Sequence, residues 1–193
     1  RSPAAAADLM RAGLDVAAEY VADGSPVALK SGRPHYDVED SVWDASNEVL
    51  RHALSLGSET GVAVQLHTEA SDDLTEVGAW AEATGLAPER VVKHYAGGPC
   101  EGVVPSVIAR TESLEAAIDG GDPFLMETDF LDDPDRPGAV LGPKTVPRRT
   151  DWLIEEGYEE AGRTAHVDAP RRVYGIDTVG TLDPAGGEGG GHD

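Results

Sequence analysis

The sequence has little of several residue types that mark particular classes of protein. It contains one cysteine, Cys100, and only three lysines, two methionines and two phenylalanines in 193 residues. A lone cysteine cannot close an internal disulfide, so the sequence does not indicate a disulfide-stabilised secreted domain. No apolar run approaches the roughly 20 residues that cross a bilayer as a helix. We therefore expect a cytoplasmic protein that has no membrane partner.

What the chain has in excess is negative charge. Acidic residues outnumber basic ones 36 to 15, which leaves a formal charge of −21. Such a charge opposes non-specific binding to nucleic acid, although it does not exclude a phosphate-bearing substrate that is held by a local metal. The acids are spread among periodic apolar segments, so the chain does not look like a disordered acidic tail. An acidic surface with so little lysine is typical of a protein kept soluble in molar salt, and we expect a halophilic origin.

Short apolar runs alternate along the chain with segments of helical periodicity. Helices are predicted over residues 4–22, 39–58, 72–84, 111–118, 150–161 and 168–175. Ser71 is the expected N-cap of the third of these helices. The apolar runs predict strands over residues 26–30, 61–66, 90–94, 102–108 and 123–129. Strands that alternate with helices in this way indicate βαβ units and a parallel sheet.

The predicted fold class is α/β, a (β/α)8 TIM barrel of which this chain covers about the last five strands. A whole barrel needs about 250 residues, and five strands cannot close one. We expect residues 1–182 to form the C-terminal part of a metal-hydrolase barrel and the Gly-rich residues 183–193 to form a flexible tail. We also expect an N-terminal part to be missing, and the open barrel edges to favour self-association.

Four residues stand at the carboxyl ends of predicted strands: Lys30, His67, His94 and Asp129. In a parallel barrel these ends converge on one mouth. Imidazole nitrogens together with carboxylate oxygens suit Zn²⁺ and related divalent ions. Each residue alone has an ordinary explanation, as a polar strand end, a helix cap or a solvent-facing lysine. Their common position favours a shared metal site.

Four short segments carry a resemblance to a known family: 29–35 (LKSGRPH), 65–69 (QLHTE), 92–95 (VKHY) and 126–129 (METD). Together with the ending at 166–175, they resemble the TatD-related branch of the amidohydrolase superfamily over roughly residues 25–177. The resemblance implies a TIM-barrel, metal-dependent hydrolase in which His67, His94 and Asp129 are metal ligands. Asp129 would also orient or deprotonate the attacking water.

Two features depart from that family's pattern. TatD-like hydrolases have a His-x-His pair on the first strand, and this chain contains no such pair. They usually carry Glu on the fourth strand, where this chain has Lys30. The related phosphotriesterase-like hydrolases have lysine there, whose carboxylated form is a carbamate that bridges two metals. We therefore expect a carbamate at Lys30, and the alternative is an ammonium that pairs with Asp129 or Glu127.

The implied reaction is hydrolysis of an ester-type bond by water activated on one or two divalent ions, Zn²⁺ before Mg²⁺ or Mn²⁺. Arg33 and His35 are candidates to bind an anionic group of the substrate. The alternatives are that Arg33 pairs with surface acids and that His35 packs beside Tyr36. Glu69 and Glu127 are candidates to support the ligands by hydrogen bonds, and solvated acids are the alternative.

Three classes of function stay open. The first is a phosphodiester hydrolase such as a TatD-like deoxyribonuclease, with a nucleotide or DNA substrate. The second keeps the fold but acts on a small-molecule lactone, amide or phosphotriester, which Lys30 favours. The third is a non-catalytic, truncated barrel that serves as a binding module. Metal content separates the third class from the others, and a substrate panel separates the first from the second.

We expect the melting temperature to fall when KCl is lowered well below molar concentration. The 36 acidic and 15 basic side chains leave a large excess of like charge. Its repulsion extends over a Debye length of ~10 Å at about 0.1 M salt, but only ~3 Å at about 1 M. Thermal unfolding at salt concentrations from about 0.1 M upward measures the effect. An unchanged melting temperature would contradict a halophilic origin.

Overall fold

The computed structural model describes residues 2–22, 27–131 and 141–179. The predicted tail at 183–193 and its boundary at residue 182 lie outside these ranges. In chain order the elements are α1 (Pro3–Ala22), β1 (Ala28–Gly32), α2 (Asp40–Thr60), β2 (Ala63–His67), α3 (Thr75–Thr84), β3 (Val91–Ala96), β4 (Val104–Ile108), α4 (Thr111–Gly120), β5 (Leu125–Glu127), α5 (Thr145–Glu155), α6 (Glu159–Arg163) and α7 (Ala169–Tyr174). A 3-10 turn (Pro88–Arg90) precedes β3, and a π-helical turn (Thr164–Asp168) joins α6 to α7.

The described strands form one parallel sheet in the order β1-β2-β3-β4-β5. Each strand pairs with its neighbour in sequence, so that Gly32 lies beside His67 and Ile108 beside Glu127. The predicted α/β arrangement with a parallel sheet of five strands is confirmed. Among the helices of the described ranges, none combines the length and the apolarity needed to cross a bilayer.

Both faces of the sheet are covered. On one face, Leu29, Val64, Leu66 and Val91 pack in a cluster with α1, α2 and α3. On the other face, strand residues pack against Ala169 and Val173 of α7. Strands buried on both faces need apolar residues at nearly every position, which is why they read as continuous apolar runs in the sequence.

The predicted cap and start of α3 are wrong. The helix begins at Thr75 rather than at residue 72. The carboxylate of Asp73 accepts hydrogen bonds from the backbone N–H of Thr75 at 2.9 Å and from its hydroxyl at 2.7 Å. The hydroxyl of Ser71 instead bonds the backbone of Asp73. The N-cap position is Leu74, whose side chain cannot cap, and the carboxylate of the preceding Asp73 bonds the first N–H of the helix instead.

The C-terminal helices and the last strand also differ from expectation. The helix predicted over 150–161 spans Thr145–Glu155, and Gly157, at φ 81°, turns the chain away from it. Strand β5 ends at Glu127, so Asp129 lies just past the strand rather than within it.

Replacing Gly78 by alanine should destabilise the fold. A Cβ there would lie 2.4 Å from the backbone carbonyl oxygen of Gly102, which cannot move aside as a flexible side chain could. Overpacking of this kind costs ~1–3 kcal/mol. Gly13→Ala in α1 is the matched control, because nothing lies within 4 Å of a Cβ at that position. Alanine there should raise helix stability by up to ~1 kcal/mol.

Urea unfolding of the two variants measures the difference. Equal midpoints would contradict the close packing of α3 on the segment that precedes β4.

Candidate metal centre

One face of the sheet carries an apolar layer followed by a polar layer. The apolar layer takes one residue from each strand and packs against α7: Ala28, Ala63, Val92, Val104 and Leu125. Because side chains alternate between the faces of a strand, the residue two positions further on points the same way. Those positions hold Lys30, Gln65, His94, Ser106 and Glu127. Five polar residues thus follow the apolar layer at the carboxyl end of the sheet, which we call the mouth.

Among the residues that the structure describes, His94, Glu127 and Asp129 form a group of possible metal ligands. Nδ1 of His94 lies 2.7 Å from a carboxylate oxygen of Glu127, and its Nε2 lies 3.3 Å from one of Asp129. One ligand atom from each residue lies within 4.8 Å of the others. The side chains of His94 and Glu127 are mostly buried, whereas that of Asp129 is 40% exposed. Imidazole and carboxylate donors suit Zn²⁺, so this donor set fits the expected metal.

The backbone beside this group is in an unusual conformation. Tyr95 and Asp129 have left-handed φ values of 58° and 47°, which are uncommon outside glycine and cluster at functional sites. The backbone N–H of Tyr95 donates to Glu127 Oε1 at 2.8 Å. Burial alone would raise the pKa of Glu127, but hydrogen bonds from His94, Tyr95 and Ser106 outweigh it and lower that pKa. Glu127 is therefore a carboxylate at neutral pH.

His67 lies beside His94 at the mouth, with ring centroids 5.8 Å apart. Its Nε2 is 3.1 Å from Nδ1 of His35, in the loop that follows β1. Partial desolvation of the still-exposed ring, and then the neighbouring His35, His94 and Lys30, lower the pKa of His67, and Asp129 offsets only part of this shift. His67 is accordingly neutral near pH 7, which is the form that binds metal.

The amine of Lys30 donates a hydrogen bond to Gln65 Oε1 at 3.2 Å. Gln65 in turn donates to the Tyr174 hydroxyl of α7 at 3.4 Å. Burial lowers the pKa of Lys30, and the charges of Glu127 and Asp129 offset part of the effect. A lysine of lowered pKa has a larger share of neutral, nucleophilic amine than a surface lysine.

Arg33 and Glu69 form an ion pair against helix α2. The guanidinium of Arg33, only 5% exposed, donates its Nε–H to Glu69 at 2.9 Å, and Nη2 contacts the other carboxylate oxygen. It also donates to Asn47 and lies 4.6 Å from the ring centroid of Trp43. Burial would raise the pKa of Glu69, but the hydrogen bonds from Arg33 and Thr68 lower it. These contacts favour a structural role for Arg33 over the substrate contact expected from the sequence.

Gln65 and Ser106 were not predicted as site residues, although both lie two positions after an apolar residue of the same strand.

Lys93 and Cys100 do not belong to the site. Lys93 points to the opposite side of β3, where it is buried and donates to the backbone carbonyl of Glu69 at 2.7 Å. Burial raises the pKa of the Cys100 thiol to about 11, so this cysteine is protonated at neutral pH and is no nucleophile.

The chain belongs to the TatD related DNase family, which it matches over residues 3–175. The family resemblance expected from the four short segments is thereby confirmed. The uncharacterized protein MJ1127 of Methanocaldococcus jannaschii is 42% identical over 155 residues, which make up 76% of this chain and 55% of that relative.

Solved structures of similar fold include a weak promiscuous lactonase engineered for organophosphate hydrolysis. It has a TM-score of 0.55 and 19% identity, and the match covers 76% of this chain and 56% of that one. The organophosphorus hydrolase of Deinococcus radiodurans gives a TM-score of 0.49 at 19% identity, over 76% and 54% of the two chains. At such identity the engineered lactonase is evidence for the fold alone, and with the family match it confirms the TIM-barrel class. The chain spans little more than half the length of these proteins.

Replacing Arg33 by methionine should destabilise the fold by ~3 kcal/mol at neutral pH, because Glu69 would keep its charge without its ion-pair partner. Arg11→Met is the matched control. Arg11 pairs with the exposed carboxylates of Asp8 in α1 and Glu48 in α2, and an exposed pair of this kind is worth at most ~1 kcal/mol. Urea unfolding of both variants measures the two losses.

The loss at Arg33 should also depend on pH. The folded-state pKa of Glu69 is below its ordinary value of 4.5. The ionised carboxylate of Glu69 therefore stabilises the folded state fully above its unfolded-state pKa. This stabilisation is lost as the pH falls through its folded-state pKa. The difference in the free energy of unfolding between wild type and Arg33→Met should therefore become smaller in acid. A gap that is absent at pH 7, or that grows in acid, would contradict this description of the pair.

Proposed function

We propose that this chain carries metal ligands of a metal-dependent hydrolase that cleaves an ester-type bond with activated water. The observation that carries the proposal is the group formed by His94, Glu127 and Asp129 at the carboxyl end of a parallel sheet. In (β/α)8 enzymes the active site lies at that end. The proposed cofactor is one or two divalent ions, Zn²⁺ first, with Mg²⁺ and Mn²⁺ as alternatives.

The residues that would hold the metal are His67, His94 and Asp129, joined by Lys30 if it is carboxylated. A bound ion supplies a Lewis acid that lowers the pKa of water to ~7 and polarises the scissile bond. Glu127 orients His94: we assign the imidazole proton to Nδ1, which faces Glu127, so that the lone pair of Nε2 is free for the metal. Asp129 is the more exposed carboxylate, and it takes the proton of the attacking water as general base.

Lys30 is proposed to be carboxylated. Its neutral amine attacks CO₂, a C–N bond forms, and the N–H proton leaves to solvent, so that a cation becomes an anionic ligand with two oxygens. The lowered pKa of Lys30 and its place in the polar layer beside Gln65 support this step. An ammonium at Lys30 is the alternative, and mass spectrometry of the protein under non-denaturing conditions, with bicarbonate present, distinguishes the two.

Two substrate classes fit the proposal. A phosphodiester of DNA or a nucleotide is the first, and the family to which the chain belongs carries DNase in its name. A lactone or a phosphotriester is the second, and Lys30 in place of the usual Glu favours it. A non-catalytic binding module is the remaining alternative. The chain spans little more than half the length of its relative MJ1127. The reaction is therefore proposed for the whole protein.

Self-association belongs to the same proposal. In the described sheet, β1 and β5 each have one neighbouring strand, and an unpaired strand edge is a template for another strand. Pairing of these edges with another chain would complete the barrel. The cytoplasmic location and the halophilic origin stay predictions from the sequence.

Asp129→Asn should lower kcat by ~10²- to 10⁴-fold, because the amide cannot accept the proton of the attacking water. Activity is measured with Zn²⁺ or Mn²⁺ on single-stranded DNA, bis-p-nitrophenyl phosphate and an aryl lactone. Asp119→Asn, on the exposed end of α4, is the control and should retain full activity. Hydrolysis that persists after the metal is removed by a chelator, or that has the same rate in both variants, would contradict the proposal. A metal-binding wild type with no activity on any substrate would favour the binding module.

A further inference from the structure

His35 and His67 face each other at the mouth of the sheet. Nδ1 of His35 lies 3.1 Å from Nε2 of His67. The two ring centroids are 4.8 Å apart, and the ring planes are nearly perpendicular, at 87°. Both residues are exposed. The ring of His94 is the next neighbour of His67, with centroids 5.8 Å apart, so that three imidazole rings follow one another across the mouth.

The separation of the two nitrogens is compatible with either a shared proton or a shared metal ion. Zn–N bonds are about 2.0–2.1 Å long, so two nitrogens on one ion, at angles of about 90–110°, lie about 2.9–3.4 Å apart. The 3.1 Å between His35 and His67 falls inside that range. A hydrogen bond between two exposed rings competes with water and adds little stability by itself.

The loop that bears His35 is fixed to the end of β2. The backbone N–H of Arg33 donates to the carbonyl oxygen of His67 at 3.0 Å, and its buried guanidinium is held by Glu69. His35 follows Arg33 by two residues, and the ring of the intervening Pro34 fixes one of the backbone dihedrals. A donor whose backbone is already held in this way loses less conformational entropy when it binds a ligand.

We propose that His35 is a further nitrogen ligand of the metal centre and shares an ion with His67. The inference rests on the proposed function and replaces the substrate contact that the sequence indicated for His35. Two imidazoles favour Zn²⁺, Co²⁺, Ni²⁺ or Cu²⁺, whereas Mg²⁺ prefers oxygen ligands. The ion at this position is therefore an imidazole-binding metal rather than Mg²⁺.

A double-mutant cycle tests the shared ion. The affinity of the purified chain for Co²⁺ and Zn²⁺ is measured by competition with a chromophoric chelator, for wild type, His35→Gln, His67→Gln and the double variant. Glutamine retains a group that can hydrogen-bond to the remaining ring but is a poor metal ligand. His52→Gln is the matched control, because His52 contacts Asp15 of α1 at 2.6 Å instead.

Each single variant should lose at least ~100-fold in affinity, since even outer partners of a ligand are worth about 10–100-fold. The double variant should lose little more than either single variant, because the two residues act on one ion. The visible absorption of bound Co²⁺ should change in His35→Gln and not in His52→Gln.

A His35→Gln variant with wild-type affinity and an unchanged Co²⁺ spectrum would overturn ligation by His35 and leave the proposed hydrolase standing. A wild-type chain that binds neither ion overturns both.

Discussion

Parallel pairing of five strands is the constraint on which the rest of the structure depends. It places the carboxyl ends of all strands at one edge, and the alternation of side chains then decides which residues meet there. On the α7 side, each strand contributes an apolar residue and then a polar one, and this second layer includes Lys30, His94 and Glu127. Leu66 and Val91 alternate to the other face and pack with the outer helices. One face of the strands therefore serves packing alone, and the other combines packing on α7 with the polar residues of the mouth.

The loops at the mouth depend on a second, buried interaction. Arg33 comes directly after β1, and its ion pair with Glu69 joins that loop to the one after β2. Lys93 of β3 holds the backbone carbonyl of Glu69 from the other side. The ends of β1 and β2 are thus tied to β3, and the backbone N–H of Arg33 also donates to the carbonyl oxygen of His67. Charged groups as buried as Arg33 are costly unless paired, so this arrangement depends on every partner being present.

Local sequence was sufficient to predict the parallel sheet and to place Lys30, His67, His94 and Asp129 within two residues of the carboxyl ends of its strands. Strand ends and helical periodicity are properties of neighbouring residues, which a single sequence contains. Glu127 was named from the sequence as a candidate to support a metal ligand, but its partner His94 was not predictable, because the contact joins two strands whose relative register the sequence does not display. In a chain with 36 acidic residues, a solvated glutamate was an equally ordinary interpretation.

Two differences between expectation and structure, at the cap of α3 and at Arg33, have the same origin. Ser71 and Asp73 are both good caps, and only the fold of the turn decides which carboxylate or hydroxyl reaches the first free N–H. Arg33 looked like a surface cation available to a substrate, but Trp43 and Asn47 of the following helix enclose it. Such choices depend on tertiary contacts, so local propensity cannot make them.

The most direct test of the central claim is anomalous X-ray diffraction at the zinc absorption edge from crystals of the protein grown with Zn²⁺. We expect an anomalous peak at the carboxyl end of the sheet, within ~2.0–2.2 Å of His94 Nε2 and a carboxylate oxygen of Asp129. Glu127 should remain bonded to Nδ1 of the same ring. A zinc-saturated protein with no peak at that position, or with its zinc bound only by surface acids, would contradict the account.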